Sequence, residues 1–351
     1  MSDQNKINEL IRESGYLVAD GATGTNLFAM GLESGYPPEL WNLEKPKNVA
    51  KNHKSFIDAG SDIILTNSFG ANKFRLKLHN AQDETYIINY SAAEIANNVA
   101  KKSNREIVIA GSIGPTGELI APLGDLTDED AINGFSEQIK GLVDGGVDLL
   151  WIETMSAEEE LKCAIKAGKQ FDIPMICTYS FDTHGRSMMG LEPKDLVRVA
   201  ESYYPAVIGY GANCGIGAAE LIGTMICLEK EKKNKSMLLV AKGNCGIPEF
   251  IDGDIKYTGT PELMAKYAGL AKTIGVDIIG GCCGTKAEHI EAMGNILKNN
   301  FKPRIDTELI IKELGSMSKG NISLIENYLN PNKNKEYPKK ENKRRRRKRN
   351  T

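Results

Sequence analysis

Short aliphatic and β-branched runs recur along the chain, and stretches with helical periodicity separate them. The runs at residues 17–20, 62–67, 107–112, 148–153, 174–179, 206–212, 237–241 and 277–281 read as strands. Between them, Ile132, Phe135, Ile139, Leu142 and Val143 fall on one helical face, as do Leu263, Tyr267, Leu270 and Ile274. Several helical stretches end in glycine just before an Asp that opens the next strand, at 60–62, 146–148 and 275–277, where glycine is the expected helix cap. Strands that alternate with helices predict a parallel sheet, because parallel neighbours need a crossover. Eight such units, complete near residue 299, predict an α/β fold of the closed (β/α)8 TIM-barrel type rather than an open doubly wound sheet. The expected organisation is a barrel over residues 1–302 and a C-terminal extension over 303–329 with one helix near 305–314. A tail of Asn, Lys, Pro, Glu and Arg over 330–351 is expected to be disordered.

Composition narrows the class. Apolar residues make up 41% and charged residues 26% of 351, ordinary for a soluble enzyme. No apolar run approaches the roughly 18 residues of a membrane span. The N-terminal segment is polar and unlike a secretory signal, so a cytoplasmic location is expected. The formal charge of −2 hides an asymmetry: residues 339–349 hold nine basic side chains and one acid, so the body is mildly acidic. No aromatic residue is interleaved after Tyr337, so base stacking is not indicated, and a solvated tail is favoured over a nucleic-acid module. The seven cysteines are odd in number and scattered, which argues against a disulfide framework.

Ligands in such folds bind at the carboxyl ends of the strands, so the residues that follow each strand carry the chemistry. The first strand runs into Asp20-Gly-Ala-Thr-Gly-Thr, the fourth ends in Glu153-Thr-Met, and the sixth in Asn213-Cys214-Gly. The seventh ends in Gly243-Asn244-Cys245-Gly and the eighth in Gly280-Gly-Cys282-Cys283-Gly-Thr. Cys214, Cys282 and Cys283 could hold zinc and leave a fourth position open, as catalytic zinc requires. By spacing alone, small buried apolar residues or a vicinal disulfide remain alternatives, since there is no CxxC pair. Cys163, Cys177 and Cys227 read as core. Glu153 could bind an ammonium group or act as a base. The glycine-rich segments match neither a P-loop nor a dinucleotide fingerprint.

Together these motifs, with Gly60-Ser-Asp-Ile-Ile-Leu-Thr-Asn-Ser-Phe-Gly and Gly111-Ser-Ile-Gly-Pro-Thr-Gly, resemble the homocysteine S-methyltransferase family over about residues 15–300. The resemblance implies one Zn2+ on Cys214, Cys282 and Cys283, holding the homocysteine sulfur as a thiolate. It implies that Glu153 takes the substrate ammonium, that Asp20, Gly21 and nearby N–H groups place the amino-acid end, and that Asn244 can act as a weak fourth ligand. It also implies a small methyl donor as second substrate. Homo-oligomers are common in the family, though no interface pattern is legible here.

The sequence looks most like the bacterial betaine-using branch, on the Pro37-Pro-Glu-Leu-Trp41-Asn segment and the Arg-rich end. A quaternary ammonium donor calls for an aromatic cage. Trp41 is the first candidate wall, with Phe69, Tyr179 and Phe181 beside it. One departure stands out: animal betaine enzymes carry Tyr after the Phe that corresponds to Phe69, and here that position is Gly70. In this respect the chain is similar to the methionine synthase module, which would need a separate methyl-corrinoid protein. S-methylmethionine and dimethylsulfoniopropionate are further donors of the right chemistry.

Overall fold

The computed structural model describes residues 3–251, 254–299 and 304–329. Eight parallel strands form the barrel: β1 (Leu17–Val18), β2 (Ile63–Leu65), β3 (Val108–Ile113), β4 (Leu149–Met155), β5 (Met175–Tyr179), β6 (Val207–Cys214), β7 (Leu238–Gly243) and β10 (Ile278–Gly281). They are hydrogen-bonded in the order β1-β10-β7-β6-β5-β4-β3-β2, and a parallel bridge between Ala19 and Ile63 brings the ends together. All eight expected strands are present, and the (β/α)8 architecture is as the periodicity predicts. Two further strands, β8 (Pro248–Ile251) and β9 (Asp254–Tyr257), form an antiparallel hairpin after β7 that the strand pattern does not predict.

The glycine–Asp punctuation does more than end helices. Gly60, Gly146 and Gly275 all adopt positive φ, where a side chain would be strained. Two residues later, Asp62, Asp148 and Asp277 each make a reciprocal pair with the neighbouring strand. Their amides donate to the carbonyls of Val18, Ile109 and Leu239, and their carboxylates accept the N–H of the same three residues at 2.7–2.9 Å. The device recurs three times at the amino end of the barrel and sets register there.

Strand side chains alternate between faces with a period of two. Val18, Ile64, Ile109, Leu150 and Ile152 face outward into the layer shared with the helices. Leu17, Ala19, Ile63, Leu65, Val108, Ala110, Leu149, Trp151, Ile176, Ile208, Leu238, Val240 and Ile278 fill the interior. The N-terminal helix Asp3–Ser14 closes the amino end, with Ile7 buried in that interior cluster and Lys6 paired to Asp148 at 3.1 Å. At the other end the helix Lys319–Leu329 packs on the helix Ala218–Glu231, where the Glu220 carboxylate accepts from the Ser318 N–H and the Asn321 amide. The expected helix near 305–314 is present as Thr307–Leu314. The basic segment over 330–351 lies outside the described residues.

The tightest constraint in the sheet is between β6 and β7. A Cβ at Gly211 would stand 1.7 Å from the Val240 carbonyl oxygen. Gly211→Ala should therefore cost about 2–3 kcal/mol of stability, or prevent folding, through forced strand displacement. Urea unfolding measures it, and an unchanged midpoint would contradict this packing.

Candidate active site

Continuing the period of two past the apolar layers places polar residues on the inner face at the carboxyl end. Val108 and Ala110 are followed by Ser112, Leu149 and Trp151 by Glu153, Leu238 and Val240 by Lys242, and Ile278 and Gly280 by Cys282. These four line a cavity of about 320 Å³, together with Gly21, Phe28, Glu39, Phe69, Thr154, Cys214 and Cys283 among others.

Three sulfurs meet at one side of this cavity. Cys214 Sγ lies 3.1 Å from Cys282 Sγ and 3.6 Å from Cys283 Sγ. All seven cysteines are free, and a disulfide would need a separation of about 2.05 Å. The spacings come close to the edge of a tetrahedral thiolate site, about 3.8 Å for bonds of about 2.3 Å to zinc. The chemistry of the donor set fits a soft divalent cation. The sulfurs are the one His/Cys/carboxylate group among the described residues clustered tightly enough, within 4.8 Å of one another, to hold an ion. So close, they cannot all carry charge without a cation: hydrogen bonds from Cys214 and Cys282 pull the Cys283 thiol down, while the hydrogen bond to Cys282 pushes the Cys214 thiol up.

The loops that present these sulfurs are tied together. Cys214 itself has φ 58°, an uncommon left-handed conformation outside glycine, and Gly215 continues the turn at 73°. Asn244 bridges both cysteine loops, with its Oδ1 accepting from the Cys283 N–H at 3.1 Å and its Nδ2 donating to the Gly215 carbonyl at 2.7 Å. From the hairpin, the Tyr257 hydroxyl donates to the Cys283 sulfur. Cys245 is buried and donates to the Gly259 carbonyl at 3.2 Å, apart from the three clustered sulfurs. Cys163, Cys177 and Cys227 are buried in the core.

Glu153 accepts from Ser112 Oγ at 2.5 Å. Burial pushes its carboxyl up to about 7, against the pull of the Lys242 charge. The next residue, Thr154, has φ 60°, and Asn213 holds it there. Asn213 Oδ1 accepts from the Thr154 N–H at 2.9 Å, and its Nδ2 donates to Thr154 Oγ1 at 2.7 Å and reaches Cys282 Sγ at 3.9 Å. Strain of this kind persists only where surroundings fix it, and here it coincides with the cavity wall.

Asp20 is fully buried and does not line the cavity. Its oxygens accept from Lys242 Nζ at 2.7 Å and from the Leu65 N–H at 2.8 Å. Gly21 does line it, and a Cβ there would stand 2.7 Å from the Thr285 carbonyl oxygen and from the Phe56 ring. Of the aromatic candidates, only Phe69 reaches the cavity. Trp41 is 2% exposed among Leu27, Leu32 and Val49, with Lys45 Nζ 4.5 Å above its ring. Tyr179 and Phe181 are buried against each other at 5.9 Å. The Pro37–Asn42 segment does reach the cavity, but through Pro38 and Glu39, because its short helical turn carries the indole inward. The Glu39 Oε1 accepts from the Gly70 N–H at 2.6 Å, and a side chain at Gly70 would meet that oxygen at 2.8 Å and Arg75 Nε at 3.1 Å. Lys242, Glu39, Phe28, Asn213 and Tyr257 are the residues that sequence reasoning missed. Lys242 carries the one legible signal, a charge in phase with Leu238 and Val240.

The family model for homocysteine S-methyltransferase matches residues 17–297. The chain is 27% identical over 307 residues to methionine synthase of Mycobacterium tuberculosis (strain ATCC 25618 / H37Rv), covering 82% of this chain and 25% of that protein, so it spans about a quarter of the relative's length. The metallated form of the Escherichia coli homocysteine methyltransferase MmuM has a TM-score of 0.68 at 22% identity, covering 82% of this chain and 99% of that one. Its oxidized form gives the same TM-score and identity, covering 82% and 98%. These structures share the fold. Among the described residues no helix is long and apolar enough to cross a membrane.

The raised Glu153 carboxyl has a stability consequence. Its charge penalty is absent below its unfolded value near 4.5, grows as the pH rises toward about 7, and is constant above. At about 1.4 kcal/mol per unit, the metal-free full chain should lose about 3 kcal/mol across that window relative to Glu153→Gln. Urea unfolding of both proteins in chelator at pH 4.5 and pH 8 measures the difference, and parallel profiles would contradict it.

Proposed function

This chain belongs to the homocysteine S-methyltransferase family, and we propose that it transfers a methyl group from glycine betaine, or a related onium donor, to homocysteine, giving methionine and dimethylglycine. The observation that carries this reading is the meeting of three cysteine sulfurs with Glu153 in one cavity at the carboxyl end of the barrel. Cys214, Cys282 and Cys283 would hold Zn2+, which when bound keeps the substrate sulfur a thiolate at neutral pH, where an unassisted thiol of pKa about 8.5 is mostly protonated.

The chain's own residues do the rest. Glu153 takes the substrate ammonium, and the ion pair lowers its raised carboxyl toward the ionised form. Asn213 keeps Glu153 and Cys282 in fixed relation through Thr154. Gly21 lets the backbone approach the amino-acid end, with the Asp20 carboxylate held behind it. Asn244, in reach of both cysteine loops, is the candidate for a weak fourth ligand. In the transfer the S–C bond forms as the donor's N–C bond breaks. Dimethylglycine leaves with the electron pair, and the thiol proton goes to solvent.

The outer part of the cavity supports a cationic donor. Phe28 and Phe69 bring their rings to the cavity wall, the latter with Arg75 5.8 Å over it, and Glu39 brings a buried carboxyl group, in place of the Trp41 cage. We assign the reaction to residues 1–302, with 303–329 as a buttress on the helix that follows Cys214. A second reading, methyl delivery by a separate corrinoid protein, draws on Gly70, whose side-chain space Glu39 and Arg75 fill.

Purified, zinc-loaded full chain should form methionine from homocysteine and betaine without cobalamin, and the Cys214→Ala variant should lose both bound zinc and turnover. Turnover confined to dimethylsulfoniopropionate or S-methylmethionine would move the donor, and turnover only with a methyl-corrinoid protein would favour the second reading. Full zinc retention in Cys214→Ala would sink the metal assignment. Phe69→Ala should raise the donor KM about tenfold while leaving the homocysteine KM within about twofold.

A further inference from the structure

We propose that Lys242 is a substrate-binding residue that reads the carboxylate of the amino-acid thiol, so that specificity for a zwitterion is built from Glu153 at one end and Lys242 at the other. The proposal rests on the homocysteine reading above and deepens it.

Lys242 is the only cationic side chain among those lining the cavity. It is 3% exposed, on the inner face of β7 above Leu238 and Val240. A buried ammonium is costly unless it is paired, and Asp20 Oδ1 at 2.7 Å supplies that pairing. Burial works against its charge, and the nearby carboxylates Asp20 and Glu153 outweigh it, so the ammonium persists. An ammonium has three N–H donors. Asp20 is its one hydrogen-bond acceptor among the described residues, and the face of Trp151 lies beneath at 5.5 Å. The remaining donors stand at the cavity wall. Its charge is felt by both Glu153 and Cys282, the two groups between which the thiol substrate must lie.

An amino-acid thiol brings an ammonium, a carboxylate and a sulfur. Glu153 and the cysteines answer two of these, and without Lys242 the substrate carboxylate would enter a cavity whose other titratable lining groups are Glu39, Glu153 and three thiols. The donor carboxylate of a betaine is a competing occupant. The deep position of Lys242, 3% exposed and in phase with the interior core, favours the thiol substrate.

The test uses zinc-loaded full chain and three thiols: homocysteine, 3-aminopropane-1-thiol, which lacks the carboxylate, and 4-mercaptobutanoate, which lacks the ammonium. Binding is measured by calorimetry without any methyl donor. Wild type should prefer homocysteine over 3-aminopropane-1-thiol by about 10- to 100-fold, the range of a charge-assisted hydrogen bond. Lys242→Met should reduce that preference to within about threefold while keeping the preference over 4-mercaptobutanoate. Lys242→Gln, which retains a donor to Asp20, should behave alike and guards against misfolding of the first variant. An undiminished carboxylate preference in the folded variants would overturn the assignment of Lys242 alone. Failure of wild type to bind any of the three thiols would overturn this assignment and the homocysteine reading together.

Discussion

The Lys242–Asp20 pair is the interaction on which the carboxyl end of the barrel depends. Asp20, Glu153 and three thiols crowd one small region, and a single buried ammonium stands among them. Unpaired, any of these anions would be driven to its neutral form by desolvation. The pair works against the burial that pushes the Asp20 carboxyl up, and it leaves the other acidic groups short of positive charge. That shortage is specific: a soft divalent cation suits the three sulfurs, and a substrate ammonium suits Glu153. A cavity that is incomplete without two cations of different chemistry selects a ligand that carries one and approaches the other through sulfur.

Rigidity comes from the strands. The interior of the barrel is apolar up to Trp151 and Val240, and on β3, β4 and β7 the next inward position is polar: Ser112, Glu153 and Lys242. Functional side chains thus stand one step above a packed core, on backbone held by neighbours on both sides, as precise sites require. Where the required direction departs from the strand, the chain spends strain. Thr154 and Cys214 take left-handed backbone at the ends of β4 and β6, and Asn213 and Asn244 supply the hydrogen bonds that fix them.

Much of this was legible in the sequence because it follows from periodicity. The strands, the glycine–Asp steps and the placing of Cys214, Cys282, Cys283 and Glu153 at strand ends all come from local pattern. What escaped depends on tertiary context. Trp41 looks like a cage wall by composition, yet the turn that carries it commits the indole to a satellite core and delivers Glu39 to the cavity instead. The hairpin of β8 and β9 is a miss of another kind: an Asp-Gly pair and the alternating Asp254–Tyr257 run mark it in the sequence, and it brings Tyr257 onto Cys283. Lys242 is visibly in phase with Leu238 and Val240, but Leu239 and Ala241 make the other face apolar too, and the closed barrel decides which face points inward.

The two parts of the cavity differ in a way that bears on methyl transfer. The inner part is built from strand residues and presents charges, which suits a small amino acid held in one orientation. The outer part comes from two short helical segments between β1 and β2 and from the turn after β2, and presents Phe28, Pro38, Glu39 and Phe69. Aromatic faces with one buried carboxylate suit a cation with little hydrogen-bonding capacity, because π-faces replace hydration without needing donors. Gly70 belongs to this contrast. Any larger residue there would displace the Glu39 carboxylate, so the absence of an aromatic ring at that position and the presence of a carboxyl group beside Phe69 are one structural choice. That choice puts a buried carboxylate, with Arg75 close to it and 5.8 Å over the Phe69 ring, where a further ring would have offered another cation–π face.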